Sequence, residues 1–539
     1  MFRLIIIHIS YLFLLSTSTL SAINYYVATS YGDDNNNGTS LTTPYKTIGK
    51  AASVMSSGDK CYIRQGRYHE TISIDDLDGS SGSAIVFTNY NNERVVLDGT
   101  TPITSTWTQV GSSNIWRTKL SADIWQLFIN WEEQVMARWP NAKFSDDTIW
   151  DNDNYWAKGT IDDNENAYTN GTIIDDPYTN SAGTSIDLNA TGFDIDETNK
   201  QAIAILNLGS FRTWSRIVTA HTGNTFNYAT VPNWKTKHHY YYLEGRKELL
   251  DQAGEWWYDI YNNSDSLYYY AENGVDPNRL DFRGKVQSYA FSITGSQYVQ
   301  IKNLEFFATT VYFSNGDNCL VYGCNFMYPS CSKRMLRTVD TEPEMTKFAS
   351  GSTGSAIRNC AFRNTDGTAL EMWGGTDTVD NCYFNKIDYS VADNSSIMLT
   401  MRMNGTSNVF RKNTVHRTGG SATVMVGDAG LVEYNNLYDT GHLQSDGSMI
   451  QFMEGQQDGA ICRYNWLHDT EKYGARFDHS GTADGTNGLM HHNLAWNCES
   501  GGIMVKGDNH KIYNNTVLNS GSKNDIIVFQ VNSGDHAST

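Results

Sequence analysis

The stretch NWLHDTEKYGARFDHSG (465–481) opens on an asparagine, runs through a short apolar segment, and ends on Arg476, Asp478 and His479. NNLYDTGHLQSDGSMIQ (435–451) begins the same way one unit upstream, and NLAWNCESGGIMVKGD (493–508) does so one unit downstream. A frame of Asn, three residues and a polar residue recurs at Asn359, Asn381, Asn413, Asn435, Asn465, Asn493 and Asn515, with gaps of 22, 32, 22, 30, 28 and 22 residues. A recurring minimum of 22 with longer gaps interspersed is what a repeating coil with loop insertions produces. Each asparagine precedes a short apolar run (CAF, CYF, TVH, NLY, WLH, LAW, TVL), and a second run follows, as in GTALEMW, GSMIQFM, GARFD and GGIMVKG.

Two or three short strands joined by tight polar turns cannot bury an apolar side alone; stacking one unit on the next can. Parallel, in-register stacking turns each repeat position into a ladder, and an asparagine ladder inside a turn bonds the backbone of neighbouring coils. The fold class is therefore all-β, a right-handed parallel β-helix with an inserted β-rich subdomain. A propeller would require a longer period and blade signatures.

The frame organises the rest of the 539-residue chain. MFRLIIIHISYLFLLSTSTLSA (1–22) has one basic residue, a short apolar run and small residues after it, the pattern of a secretory signal peptide. This predicts a secreted or periplasmic protein. Residues 23–100 read as a short helix at about 45–55 capping the core, followed by first coils such as GDKCYIRQGRYHE (58–70). Residues 101–285 break the frame with alternating aromatic and polar stretches and read as the insert; coils resume over 286–539. The chain stops at NDIIVFQVNSGDHAST with the last coil uncovered, as in a chain cut short.

No later segment is long and apolar enough to span a bilayer. A net charge of −19 argues against a nucleic-acid partner, because phosphate neutralisation needs Lys/Arg-rich surface. Cys360 and Cys382 share a repeat position, where stacked thiols behave as small buried hydrophobes. His416 and His468 share one with Phe362, Phe384, Tyr438 and Trp496 and read as stacking residues. GDDNNNGTS (32–40) has the oxygens for a Ca²⁺ site but reads first as a turn. No cofactor, no metal site and no obligate oligomer is expected.

Aligning on Gly447, Gly474 and Gly502 places Gln451, Asp478 and Lys506 four residues on and Met449, Arg476 and Met504 two residues on. With the intervening residues inward, these positions face out on coils about 4.8 Å apart. Asp446 enters the same face one coil earlier, and His442, Glu454 and His479 lie in adjacent loops. A carboxylate pair on a long groove is what glycosidic cleavage requires, while flanking Arg and Lys can bind anionic sugar substituents. Asp446 and Asp478 are offset by five positions in this alignment, so the pair closes only through a bend. The competing bland reading is a surface ion-pair cluster.

DGSMIQ, YNWLHDTEKYGARFDHSG, HHNLAWN, GGIMVKGDNHKIYNNTV and ARWPN resemble the right-handed β-helix glycoside hydrolases of the α-fucosidase and xylosidase/xylanase type. The resemblance implies a secreted polysaccharide-degrading enzyme with an inserted β-domain. It also implies that Asp446 and Asp478 are the acid pair, with Arg476, Lys506, His442, Gln451, His479 and Glu454 binding substrate. GHG and RIK motifs of the pectin hydrolases of this fold are absent. Two alternatives stand beside it: a polysaccharide lyase using Lys506 and Arg476 without an acid pair, and a non-catalytic carbohydrate-binding β-helix.

Overall fold

The computed structural model describes residues 21–159, 171–192, 194–195, 200–209, 211–232, 236–260, 264–394, 399–478, 485–521 and 525–529. Most of residues 1–22, read above as a signal peptide, and His479 lie outside them. The short β-runs stack into three long parallel sheets of 12, 11 and 11 strands among the described residues. Each coil contributes one strand to each sheet in turn, as Ile461–Arg463, Trp466–Thr470 and Tyr473–Phe477 do. Alternation drives the packing: Leu467, Phe477 and Cys462 point in and are fully buried, while their neighbours face out.

Identical residues at one position stack ring on ring along the core. Phe306, Phe326, Phe362 and Phe384 follow one another at centroid spacings of 4.5, 4.6 and 5.0 Å. A short helix, Ile48–Ala52, covers the first coils and turns Ile48 and Ala51 into the core. Asp34 in the preceding polar loop accepts from the Lys46 and Thr47 backbone N–H groups, so that carboxylate belongs to the turn.

The asparagine ladder is present for Asn413, Asn435, Asn465, Asn493 and Asn515. Each amide donates to the Oδ1 of the next, at 3.2, 2.9, 2.9 and 3.0 Å. The same Nδ2 groups donate to Val379, Phe410, Val432 and Cys462 carbonyls one coil back. Asn359 and Asn381 are not ladder members. Strand register puts Cys360 and Cys382 in that column, below Asn413. Their thiols, with that of Cys324, reach the equivalent carbonyls of Val321, Ile357 and Ile301 at 3.6–3.7 Å. Asn359 and Asn381 occupy the preceding left-handed position, with φ of 55° each, which Asn tolerates well. All eight cysteines are buried free thiols.

Asn465 is fully buried, and its loss strands donors and acceptors on both neighbouring coils. Asn465→Ala is expected to cost about 2–3 kcal/mol, the scale of buried polar groups left unmade. Asn465→Cys should be the milder change, because a thiol already serves this position three times; thermal melts of the two variants check both statements.

His416 and His468 stack outward with Tyr438 and Trp496 as expected, at 4.5, 5.0 and 4.0 Å. Phe362 and Phe384 are not in that row: Phe384 pairs with Val415, the inward neighbour of His416.

Between Thr100 and Lys285 the chain leaves the coil and folds into sheets of four, five and seven strands, antiparallel except where Val135–Met136 runs parallel to Glu255–Asp259. This insert returns to the β-helix through buried polar contacts. Arg334 lies between Glu244 of the insert, at 2.6 Å, and Asp366 of the helix, at 3.2 Å, all nearly solvent-free. Asp147 of the insert takes Lys386 and Arg417, each at 2.6 Å. No helix among the described residues is long and apolar enough to cross a membrane.

Candidate functional site

The outward face of the third sheet carries the charged cluster. In the observed register, Gln451 lies opposite Arg476, which lies opposite Met504. The glycine alignment is therefore off by two at its first member: Gln451 belongs with Arg476, not with Asp478, and Met449 falls opposite Gly474. The two glycines do different work. Gly447 sits at φ 90° in the turn before its strand, whereas a Cβ on Gly474 would meet the Gly502 carbonyl of the next coil at 2.6 Å. Asp478 and Lys506 do stand side by side, two positions past Arg476 and Met504.

Arg476 organises the group. Its Nε donates to Gln451 Oε1 at 2.9 Å, one terminal nitrogen to Asp446 Oδ1 at 2.6 Å, and the other to Asp478 Oδ2 at 3.0 Å. Lys506 Nζ binds the other oxygen of Asp478 at 2.6 Å, and Gln451 Nε2 reaches Asp478 Oδ2 at 3.2 Å. Ser448 fixes Gln451 by donating to its Oε1 at 2.7 Å. The bend that the sequence required is the turn at Asp446 and Gly447, with φ of 62° and 90°. It carries Asp446 back over the strand, and the Gly447 N–H holds its Oδ1 at 2.7 Å. The side chains of Arg476 and Asp478 are 9 and 12 % exposed, those of Lys506 and Asp446 25 and 29 %, so the cluster opens to solvent on the Asp446 and Lys506 side.

The other loop residues are placed differently. His442 bonds Asp439 Oδ1 at 2.9 Å and packs against Trp150 of the insert. Burial alone would raise the Asp439 carboxyl, but His442 and Arg417 more than offset this and hold it well below the usual range. The backbone of Glu454 lies in the short turn Glu454–Gln456 next to the cluster; its side chain, like all of His479, lies outside the described residues.

Two features escaped the sequence reading. The first is the upstream continuation of the outward row. Register runs from Lys347 through Glu371, Arg402 and Met425 to Gln451 and Arg476. Lys347 pairs with Glu371 at 2.8 Å, Trp373 Nε1 donates to Glu371 at 2.8 Å, and the Arg402 guanidinium lies 4.3 Å from the Trp373 ring. The signal was present in TKF, LEMW and TMRM, where one charge alternates with apolar neighbours.

The second is a cavity of about 430 Å³ between insert and helix, with Glu132, Glu133, Glu255, Trp150, Tyr328 and Tyr389 on its walls. Glu133 Oε1 accepts from Tyr389 Oη and Gln126 Nε2, both at 2.7 Å. Its Oε2 is sealed from solvent with no partner among the described residues. Burial pushes the carboxyl up to about 8, against the hydrogen bonds from Gln126 and Tyr389. A carboxyl raised in the folded state holds its proton there while the unfolded chain releases it, so its contribution to stability is full near pH 4 and is lost as pH rises through about 8. Melting of Glu133→Gln is expected to match the unmodified protein near pH 4 and to exceed it increasingly toward pH 9. Parallel curves would show that the Glu133 carboxyl ionises over the same pH range folded and unfolded.

Residues 348–517 match the family described as "Right handed beta helix region". The chain is a right-handed parallel β-helix. A solved structure described as "Glycoside hydrolase" superposes on this β-helix with a TM-score of 0.63 at 13 % identity, over 94 % of this chain and 96 % of that one, which shows a common fold. "The complex structure of XylC with xylose" aligns at TM-score 0.48 and 12 % identity, over 92 % and 86 %. In sequence, the β-helix is 37 % identical over 76 residues to "Uncharacterized protein YwoF" of Bacillus subtilis (strain 168); the match spans 14 % of this chain and 16 % of that relative.

Proposed function

We propose that the protein is a polysaccharide-degrading glycoside hydrolase that lays its substrate along the outward face of the third sheet. One observation carries the reading: carboxylates from two successive coils, Asp446 and Asp478, are held on the two terminal nitrogens of one guanidinium, at the open end of a long polar row. Glycosidic cleavage needs one carboxylic acid to protonate the leaving oxygen and one carboxylate to act as base or nucleophile. Asp478, which accepts from Arg476, Lys506 and Gln451, is held in place by all three and takes the base or nucleophile role. Asp446, the more exposed of the two, is left the acid role, for which bound sugar must cover it and offset the ionising pull of Arg476. Arg476 spends Nε and both terminal nitrogens on protein partners, so it positions the pair.

The same pairing counts against β-elimination, which needs a cation left over for the uronate and a separate base. It also tells against a purely binding β-helix, since buried charges are costly to gather without use. The reaction needs water and no cofactor. The residue 1–22 segment supports export, and the enzyme acts on its polymer as a monomer.

The test is incubation with neutral, uronate-bearing and sulfated polysaccharides, reading reducing ends and unsaturated-uronate absorbance. Reducing ends without the chromophore are expected. The chromophore would make the protein a lyase, and neither signal across the panel would overturn an enzymatic reading.

A further inference from the structure

Arg402 stands apart from every other charge on this face. The downstream cluster is neutral, with Arg476 and Lys506 balanced by Asp446 and Asp478. The upstream pair, Lys347 and Glu371, is neutral as well. Arg402 sits between them with no ion-pair partner among the described residues, and its Nε is sealed from solvent without a hydrogen bond. Glu371, its register neighbour, is already taken by Lys347 and Trp373. Stacking on Trp373 fixes the plane of the guanidinium and leaves its donors along the edge. A partly buried cation whose donors lack partners carries a desolvation cost that an incoming anion removes. In a chain of net charge −19, a local cation is also what overcomes general repulsion of an anionic ligand.

Position matters as much as charge. Arg402, Met425, Gln451 and Arg476 follow one another in register, so three coil steps of about 4.8 Å, roughly 14 Å in all, separate Arg402 from Arg476. That span suits an oligosaccharide running parallel to the helix axis with one end at the carboxylates, passing above the buried Met425 and Gln451 and held at the two ends. A monosaccharide does not reach across it.

We infer that Arg402, braced on Trp373, is a subsite for an anionic substituent of the polysaccharide, a carboxylate or a sulfate, bound through the planar fork of the guanidinium several sugar units from the Asp446–Asp478 pair. The inference rests on the hydrolase reading for the direction of the chain and goes beyond it in naming the substrate class. It moves the cation that selects the substrate away from Arg476 and Lys506, which the carboxylates occupy.

Affinity electrophoresis of the full-length protein through gels containing uronate, sulfated or neutral polysaccharides tests it, using an Asp446→Asn background so that no polymer is degraded. Retardation is expected on an anionic polymer, and which kind retards separates carboxylate from sulfate. Arg402→Gln should weaken that retardation at least tenfold at low salt and leave any neutral-polymer binding untouched; Arg402→Lys, which keeps charge but loses the fork, should fall between. Added salt should close the gap between Arg402→Gln and its parent. Unchanged retardation by Arg402→Gln, or retardation on neutral polymers alone, overturns the inference while leaving the hydrolase reading to the product assay. No retardation on any polymer overturns both.

Discussion

Asp446→Asn should abolish turnover by two to four orders of magnitude, the usual scale for losing a positioned proton donor. The amide keeps the volume and the contact with Gly447 N–H, its oxygen can still accept from Arg476, and the side chain is partly exposed, so the fold should survive with only a small fall in melting temperature. Asp478→Asn should be as severe for activity, but it also unbalances Arg476 and Lys506 and should lower stability. The contrast separates chemistry from architecture: two variants equally inactive but unequally stable are expected. A folded Asp446→Asn protein with near-normal turnover on its best polymer would refute the assignment of the pair, whichever polymer that is.

The largest loss of stability should come from Arg334→Met. Arg334 is buried between Glu244 of the insert and Asp366 of the helix, with Ser390 Oγ also within reach. Removing the cation leaves two carboxylates facing each other out of water, and breaking a buried ion pair in this way costs about 3–5 kcal/mol. The measurement is chemical unfolding followed both by tryptophan fluorescence, which the insert dominates, and by far-ultraviolet dichroism, which reports the coils. Fluorescence should shift to lower denaturant more than dichroism does, because the insert loses its anchor while the stacked coils keep their ladders. A coincident and small shift would mean that the joint is held by Asp147 and Asp393 instead.

Repetition made most of the fold legible. The stretch around Asn465 repeats closely enough that the ladder from Asn413 to Asn515 could be drawn from spacing alone. It misled where one residue type has two jobs. Asn is favoured both in the ladder and in the left-handed position before it, so Asn359 and Asn381 passed for ladder members while Cys360 and Cys382 held the column. Glycine has a similar double use, in a turn at Gly447 and under a neighbouring carbonyl at Gly474, and this displaced Gln451 from Arg476. The cluster itself was found because Arg476, Asp478 and Lys506 interrupt apolar strands. Arg402 and Glu371 interrupt theirs in the same way, but the gaps in that part of the chain hid the register. Glu133 gave no signal at all. Its raised carboxyl comes from burial between segments far apart in sequence, and no local pattern encodes that burial.

The column of amides and thiols divides the β-helix into two mechanical regimes. At Cys324, Cys360 and Cys382 the column is tied through weak sulfur contacts; from Asn413 to Asn493 each amide is tied both backward, to a carbonyl, and forward, to the next asparagine. Coils braced on both sides open last, so amide hydrogen exchange should be slowest around Asn435 and Asn465, one turn away from Asp446 and Asp478. The carboxylates proposed as the acid pair thus stand on the stiffest part of the stack, and Trp373 and Arg402 on a more compliant part. Under the proposed function, that division lets one end of the surface adapt to a polymer while the other holds reacting atoms still.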